Sequence, residues 1–128
     1  MLNSIFLFVM KKTLVIGAST NPARYSNIAI HRLSQFGHPI EALGLKEGTV
    51  NGIEIFTEKK PIENVHTVTL YVGPKNQPEY YQYIIGLQPK RVIFNPGTEN
   101  PEFFSLLKEN EVAYEVACTL VLLSTNQY

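Results

Sequence analysis

Apolar positions in this chain fall in short continuous runs that alternate with longer stretches of helical spacing. The first run, Lys12 to Gly17, is unbroken, as in a parallel strand buried on both faces. Ile28, Ile30, Leu33 and Phe36 then recur at helical spacing until Gly37, with Ser26 or Asn27 as the expected cap. His38 to Leu43 reads as a second strand closed by Gly44. Lys46 to Lys60 is read as a loop with a marginal extended piece. Asn51-Gly52 has the chemistry of a hairpin tip, but the apolar stretches on either side are short. Pro61 to Asn64 predicts one helical turn, and Thr67 to Val72 a β-branched third strand ended by Gly73-Pro74. Asn76 or Gln77 is expected to cap a helix carrying Tyr80, Tyr81, Ile84 and Leu87, with Pro78 near its first turn. Lys90 to Phe94 is a fourth strand, stopped by Asn95-Pro96-Gly97. Asn100-Pro101 opens another helix through Phe103, Phe104, Leu106 and Leu107. Val112 to Val116 is a fifth strand, and Thr119 to Leu123 a short final helix or tail.

Strands alternating with helices predict an α/β, Rossmann-like three-layer sandwich with right-handed crossovers. The expected sheet is five-stranded and parallel, in the order 3-2-1-4-5. Ligands of such sheets sit beyond the strand carboxyl ends, where the strand order reverses. Five segments meet at that rim: Gly17-Ala18-Ser19, Gly44-Leu45-Lys46, Gly73-Pro74-Lys75, Asn95-Pro96-Gly97-Thr98 and Ala117-Cys118-Thr119. Most of these residues are small, polar, or glycine or proline.

Composition narrows the classes. A chain of 128 residues is one domain with room for a core. Its formal net charge is zero, so no global field draws it to nucleic acid or to an acidic membrane. A single cysteine, Cys118, cannot form an internal disulfide or a cysteine-based zinc site, and it fits a cytoplasmic location. The apolar run Ile5 to Met10 is too short to span a bilayer, and its lysines, Lys11 and Lys12, follow it where a secretory signal places them before. Residues 1–10 are therefore read as a dispensable extension and 11–128 as the domain. No nucleic-acid or membrane partner is expected; a homodimer is left open.

The richest chemistry lies in Leu14 to Asn27. A strand ends on Gly17, passes through Ala18, Ser19 and Thr20, crosses a turn at Pro22 and enters a helix. Unpaired N–H groups at a helix start, with the helix dipole, suit an anion. Ser19, Thr20 and Ser26 can donate hydroxyl hydrogen bonds, and Arg24 supplies a guanidinium fork suited to phosphate. A well-capped βα turn with no ligand is the plain alternative. Neither the G-x-G-x-x-G dinucleotide fingerprint nor a mononucleotide P-loop is present. An NAD site also expects an acid after the second strand, where this chain has Gly44-Leu45-Lys46; Lys46 suits a phosphorylated ribose, as in coenzyme A or NADP.

The stretch Val15-Ile16-Gly17-Ala18-Ser19-x-x-Pro22-x-Arg24-x-Ser26 resembles the opening motif of the small CoA-binding domain proteins, which are similar to the N-terminal domain of the succinyl-CoA synthetase alpha subunit. The resemblance runs from about Lys12 to about Thr119 and includes the Gly37-His38-Pro39-Ile40 entry to strand two and the late Cys118. It implies a Rossmann-like fold with coenzyme A, or an acyl-CoA, lying across the strand ends. The diphosphate would meet Gly17, Ala18, Ser19, Arg24 and Ser26; Thr20 and Gly73 are further expected cofactor contacts, and Lys46 and Lys75 are second-rank candidates for the ribose phosphate or the open end of the cleft. The chain departs from the family pattern at three places. Leu45-Lys46-Glu47 stands for an Asn-Pro after strand two, Gly73 to Gln77 for an Arg-rich loop, and Asn95 to Asn100 for a Gln-x-Gly segment. The rival readings are an NAD(P)-binding small oxidoreductase and a cofactor-free regulatory module.

No catalytic constellation emerges. Tyr71 and Lys75 have the Tyr-x-x-x-Lys spacing of short-chain dehydrogenases, but Gly73-Pro74 breaks the helix that chemistry needs. Cys118 has two readings, a reactive thiol at a helix entry and a small buried hydrophobe. His31, His38 and His66 share no metal-ligand spacing, so no metal is expected. Glu99 could orient a substrate, though Asn100-Pro101-Glu102 reads more simply as a helix cap.

Overall fold

The computed structural model describes residues 10–128, so of the expected extension only Met10 lies within the described residues. Its elements are β1 (Thr13–Ala18), α1 (Tyr25–Gln35), β2 (Ile40–Gly44), β3 (Gly48–Val50), β4 (Ile53–Phe56) and β5 (Thr67–Leu70). Two 3-10 turns follow (Pro74–Asn76, Pro78–Tyr80), then α2 (Tyr81–Leu87), β6 (Arg91–Phe94), α3 (Pro101–Glu109), β7 (Ala113–Val116) and α4 (Thr119–Ser124).

Strand β1 is central, and its unbroken apolar run has the predicted cause. Leu14 and Ile16 pack into one core with Ile84, Phe94, Phe103 and Leu107, under α2 and α3. Val15 faces the other core with Ile30, Leu33 and Leu123, under α1 and α4. The sheet therefore has a helical layer on each face, as expected of a three-layer α/β sandwich.

The sheet itself corrects the sequence reading. It has seven strands in the order β3-β4-β2-β1-β5-β6-β7, all parallel except β3, which runs antiparallel to β4. The five expected strands lie in the order 2-1-3-4-5, with the third beside the first; the 3-2-1-4-5 order is wrong. The reason lies in Gly48 to Phe56. Asn51 and Gly52 both have positive φ (51° and 79°) and close a two-residue hairpin between Val50 and Ile53. Its second strand pairs with β2 through Ala42–Ile55 and Leu43–Phe56, taking the outer place assigned to Thr67–Val72. All four residues of β5 are buried, which fits a place between β1 and β6. The chain thus moves one way from β1 to β2, then returns to build β5, β6 and β7 on the other side. Right-handed crossovers place α1 and the pair α2, α3 on opposite faces.

Smaller differences follow from local chemistry. Pro61 to Asn64 forms no helix; this crossing segment instead packs Ile62 and Val65 on the core. Helix α1 begins at Tyr25, so Ser26 and Asn27 lie inside its first turn, and no side chain caps it. Asn76 and Gln77 cap nothing either; two 3-10 turns precede α2. Asn100 does cap α3, its side-chain oxygen accepting from the Phe103 N–H at 3.3 Å. Among the described residues no helix is long and apolar enough to cross a membrane.

Candidate functional site

Where β2, β1 and β5 end, their backbones converge. Gly17 sits at φ +93° in an irregularity of the β1–β2 register between Ile16 and Ala18. A Cβ there would lie 2.7 Å from the Tyr71 carbonyl oxygen, and one at Gly44 would lie 2.4 Å from that of Ala18. Glycine is what lets three strand ends crowd together. From there the chain turns toward α1 under local control. The Ser19 Oγ accepts from the Asn21 N–H at 3.1 Å, and the Asn21 Oδ1 from the Ala23 N–H at 2.9 Å. Buried Asn27 donates its amide to the Ser19 carbonyl at 2.9 Å. Ser19 still has its hydroxyl proton to give.

These segments border an open cleft of about 810 Å³ at the carboxyl ends of the strands, within the ~300–1,000 Å³ of small-molecule sites. The structure brings together Gly17, Ala18, Ser19, Thr20, Arg24, Ser26, Lys46 and Gly73 of the residues nominated from sequence. Lys75 is exposed in the first 3-10 turn and does not line the cleft, nor do Ala117, Cys118 and Thr119. The uncapped start of α1 leaves first-turn N–H groups open at the cleft wall. Arg24 and Lys46 have no carboxylate within ion-pair distance among the described residues. The cleft's acid, Glu79, is by contrast matched by Lys59 at 3.4 Å. Positive charge is thus concentrated around the first βα turn and the loop after β2.

Sequence reasoning did not single out Tyr25, Val72 or Tyr80, and it placed Leu45 and Thr98 at the rim without giving either a role. Tyr25 and Leu45 are 71% and 86% exposed, and both border the cation-bearing part of the cleft. No periodicity marks an apolar residue that faces solvent. Val72, Tyr80 and Thr98 contribute to the opposite part. Tyr71 also lines the cleft, but its phenol oxygen is buried with no hydrogen-bond partner among the described residues, and burial pushes its pKa further above neutrality. It follows a strand and Lys75 sits in a 3-10 turn, so the two do not share the helix face a dehydrogenase pair requires.

Beneath this rim Asn95 acts as a keystone. Its side-chain nitrogen donates to the Thr69 hydroxyl at 2.7 Å and the Leu70 carbonyl at 2.8 Å, and its oxygen accepts from the Thr119 N–H at 2.9 Å. One buried amide therefore joins β5, β6 and the start of α4. Cys118, half-buried, takes the residue before that helix. Glu99 turns back to accept from the Gly97 N–H at 2.7 Å, a use that fits the loop rather than a substrate. His31 is exposed on α1, while His38 and His66 lie at the opposite end of the sheet from the cleft. No group of histidines, cysteines and acids among the described residues is arranged to hold a metal ion.

The fold is a doubly wound α/β arrangement with an open cleft at its topological switch point. The chain belongs to the CoA binding domain family, whose model matches residues 11–124. It is similar to a crystal structure of an uncharacterized protein at 48% identity, covering 94% of this chain and 99% of that one with a TM-score of 0.92. The fold is shared by a hypothetical protein from Pyrococcus horikoshii OT3, with 24% identity, coverage of 97% and 88%, and a TM-score of 0.82. It is shared also by cell-free ID.343 from Thermus thermophilus, with 19% identity, coverage of 98% and 96%, and a TM-score of 0.79. No curated protein matches the chain.

Proposed function

We propose that this protein binds coenzyme A or an acyl-CoA in the cleft, with the diphosphate at the turn between β1 and α1. The observation that carries the reading is the meeting of the open α1 terminus, the Gly17–Ser19 backbone and Arg24 in one place. Backbone N–H groups at a helix start and a guanidinium are the donors a diphosphate uses. Lys46, after β2, is placed for the ribose phosphate, and the exposed faces of Tyr25 and Leu45 for the adenine. The part of the cleft formed by Val72, Gly73, Pro96 and Thr98 has no cation and suits the uncharged pantetheine arm. Gly73 is a backbone contact in this arrangement, and Lys75 has no place in it.

The reading is of a binding protein, resting on the diphosphate donors and not on any catalytic group. The NAD alternative gains no support from the loop after β2, where Lys46 lines the cleft and the loop's one acid, Glu47, does not. Calorimetric titration of the full chain with coenzyme A and, separately, with NADP tests the proposal. Saturable binding of coenzyme A with no heat from NADP supports it, and the reverse order of affinities overturns it.

A further inference from the structure

The loops after β5 and β6, which form the part of the cleft away from Arg24 and Lys46, are joined by one side chain. Gln77 lies between the two 3-10 turns and is fully buried. Its side-chain nitrogen donates to the Val72 carbonyl at 2.9 Å and to the Thr98 carbonyl at 2.7 Å. Val72 follows β5 and Thr98 follows β6, and both line the cleft. The Gln77 oxygen in turn accepts from the Asn100 side chain at 2.9 Å. That same Asn100 nitrogen reaches the Tyr81 hydroxyl at 2.8 Å, and its oxygen caps α3. Tyr81 passes its proton toward Glu102 at 3.1 Å. Every polar atom of the Gln77 side chain is spent inside the protein, so none is left for a ligand.

A buried amide that bonds two loop carbonyls at once fixes the distance between the loops. We infer that Gln77 is a positioning residue that sets the width of the cleft beyond the diphosphate, and through it the affinity for the ligand's uncharged arm. This rests on the coenzyme A reading above. Gln77 touches no ligand; it holds the walls that do.

The test compares two ligands on the full chain by calorimetry: coenzyme A, and phospho-ADP, which is coenzyme A without its pantetheine arm. Gln77→Met keeps the length and the buried bulk but cannot donate. It is expected to lower affinity for coenzyme A about tenfold while leaving phospho-ADP within about twofold of the wild type. General destabilisation would weaken both ligands alike, so the ratio of the two affinities isolates positioning. Gln77→Glu, which swaps the donor for an acceptor facing two carbonyls, should give the same pattern and serves if the Met variant does not fold. An unchanged ratio in the variants overturns the inference, with the binding reading intact. A wild-type protein that binds neither ligand overturns the reading itself, and this inference with it.

Discussion

Gly17 runs so close to Tyr71 that a Cβ at position 17 would stand 2.7 Å from the Tyr71 carbonyl oxygen. Backbone cannot swing aside as a flexible side chain can, and φ at Gly17 is +93°. Gly17→Ala is therefore expected to cost about 1–3 kcal/mol of stability. Denaturant unfolding checks this. Because the same turn forms the cleft, coenzyme A affinity should fall as well.

Arg24 is exposed at the start of α1 and borders the cleft without a carboxylate partner among the described residues. Arg24→Ala should weaken coenzyme A binding by about 1.5–3 kcal/mol, the range for a charge-assisted hydrogen bond. Stability should barely change. Equal affinity in the variant would remove Arg24 from the site.

Asn95 is nearly buried and makes three bonds, to Thr69, Leu70 and Thr119. Asn95→Ala leaves the Leu70 carbonyl and the Thr119 N–H without that partner, which should cost about 2–3 kcal/mol. Thermal and denaturant unfolding read it directly. Its loss should also loosen the start of α4.

Stability should fall in mild acid. Burial lowers the pKa of His38, helped by the charges of Lys11 and Arg91. Burial lowers that of His66 too, with Arg91, Lys11, Lys90 and His38 adding to it. The neutral His38 Nδ1 accepts from the Lys11 N–H at 3.0 Å, a bond the protonated ring cannot make. The folded protein therefore binds fewer protons than the unfolded chain, whose histidines titrate near 6.5. The contribution is complete above that pH and is lost as the pH falls through the lower folded values. Urea midpoints measured across this window should decline, and less steeply in His38→Gln.

How much of this could be read from sequence depends on the range of the interactions concerned. The β1 run and the helical spacing through Leu33 are local patterns, and they located the central strand and α1. The Asn100 cap and the glycine-to-helix turn are equally local. Strand order is not: Thr67–Leu70 looks the same beside β1 or outside β2, and only the hairpin at Asn51-Gly52 decides between them. That hairpin is signalled by two residues only, and the strands it joins, three and four residues long, are too short to carry a pattern of their own. In the cleft, the residues of the turn between β1 and α1 could be read from one motif. Gln77 could not, because its bonds reach residues as far as Asn100; Tyr25 carries no pattern that marks it, and Leu45 is placed at the rim only by the strand before it.

The most direct measurement is a thermal-shift titration of the full chain with coenzyme A, acetyl-CoA, NAD and NADP side by side. A ligand that binds only the folded state adds roughly 2.7 kcal/mol at about a hundred times its Kd, several degrees in a domain of this size. Stabilisation by coenzyme A and acetyl-CoA with no response to NAD or NADP is the predicted result. A shift with NADP alone, or silence from all four, would contradict the assignment of the cleft to coenzyme A.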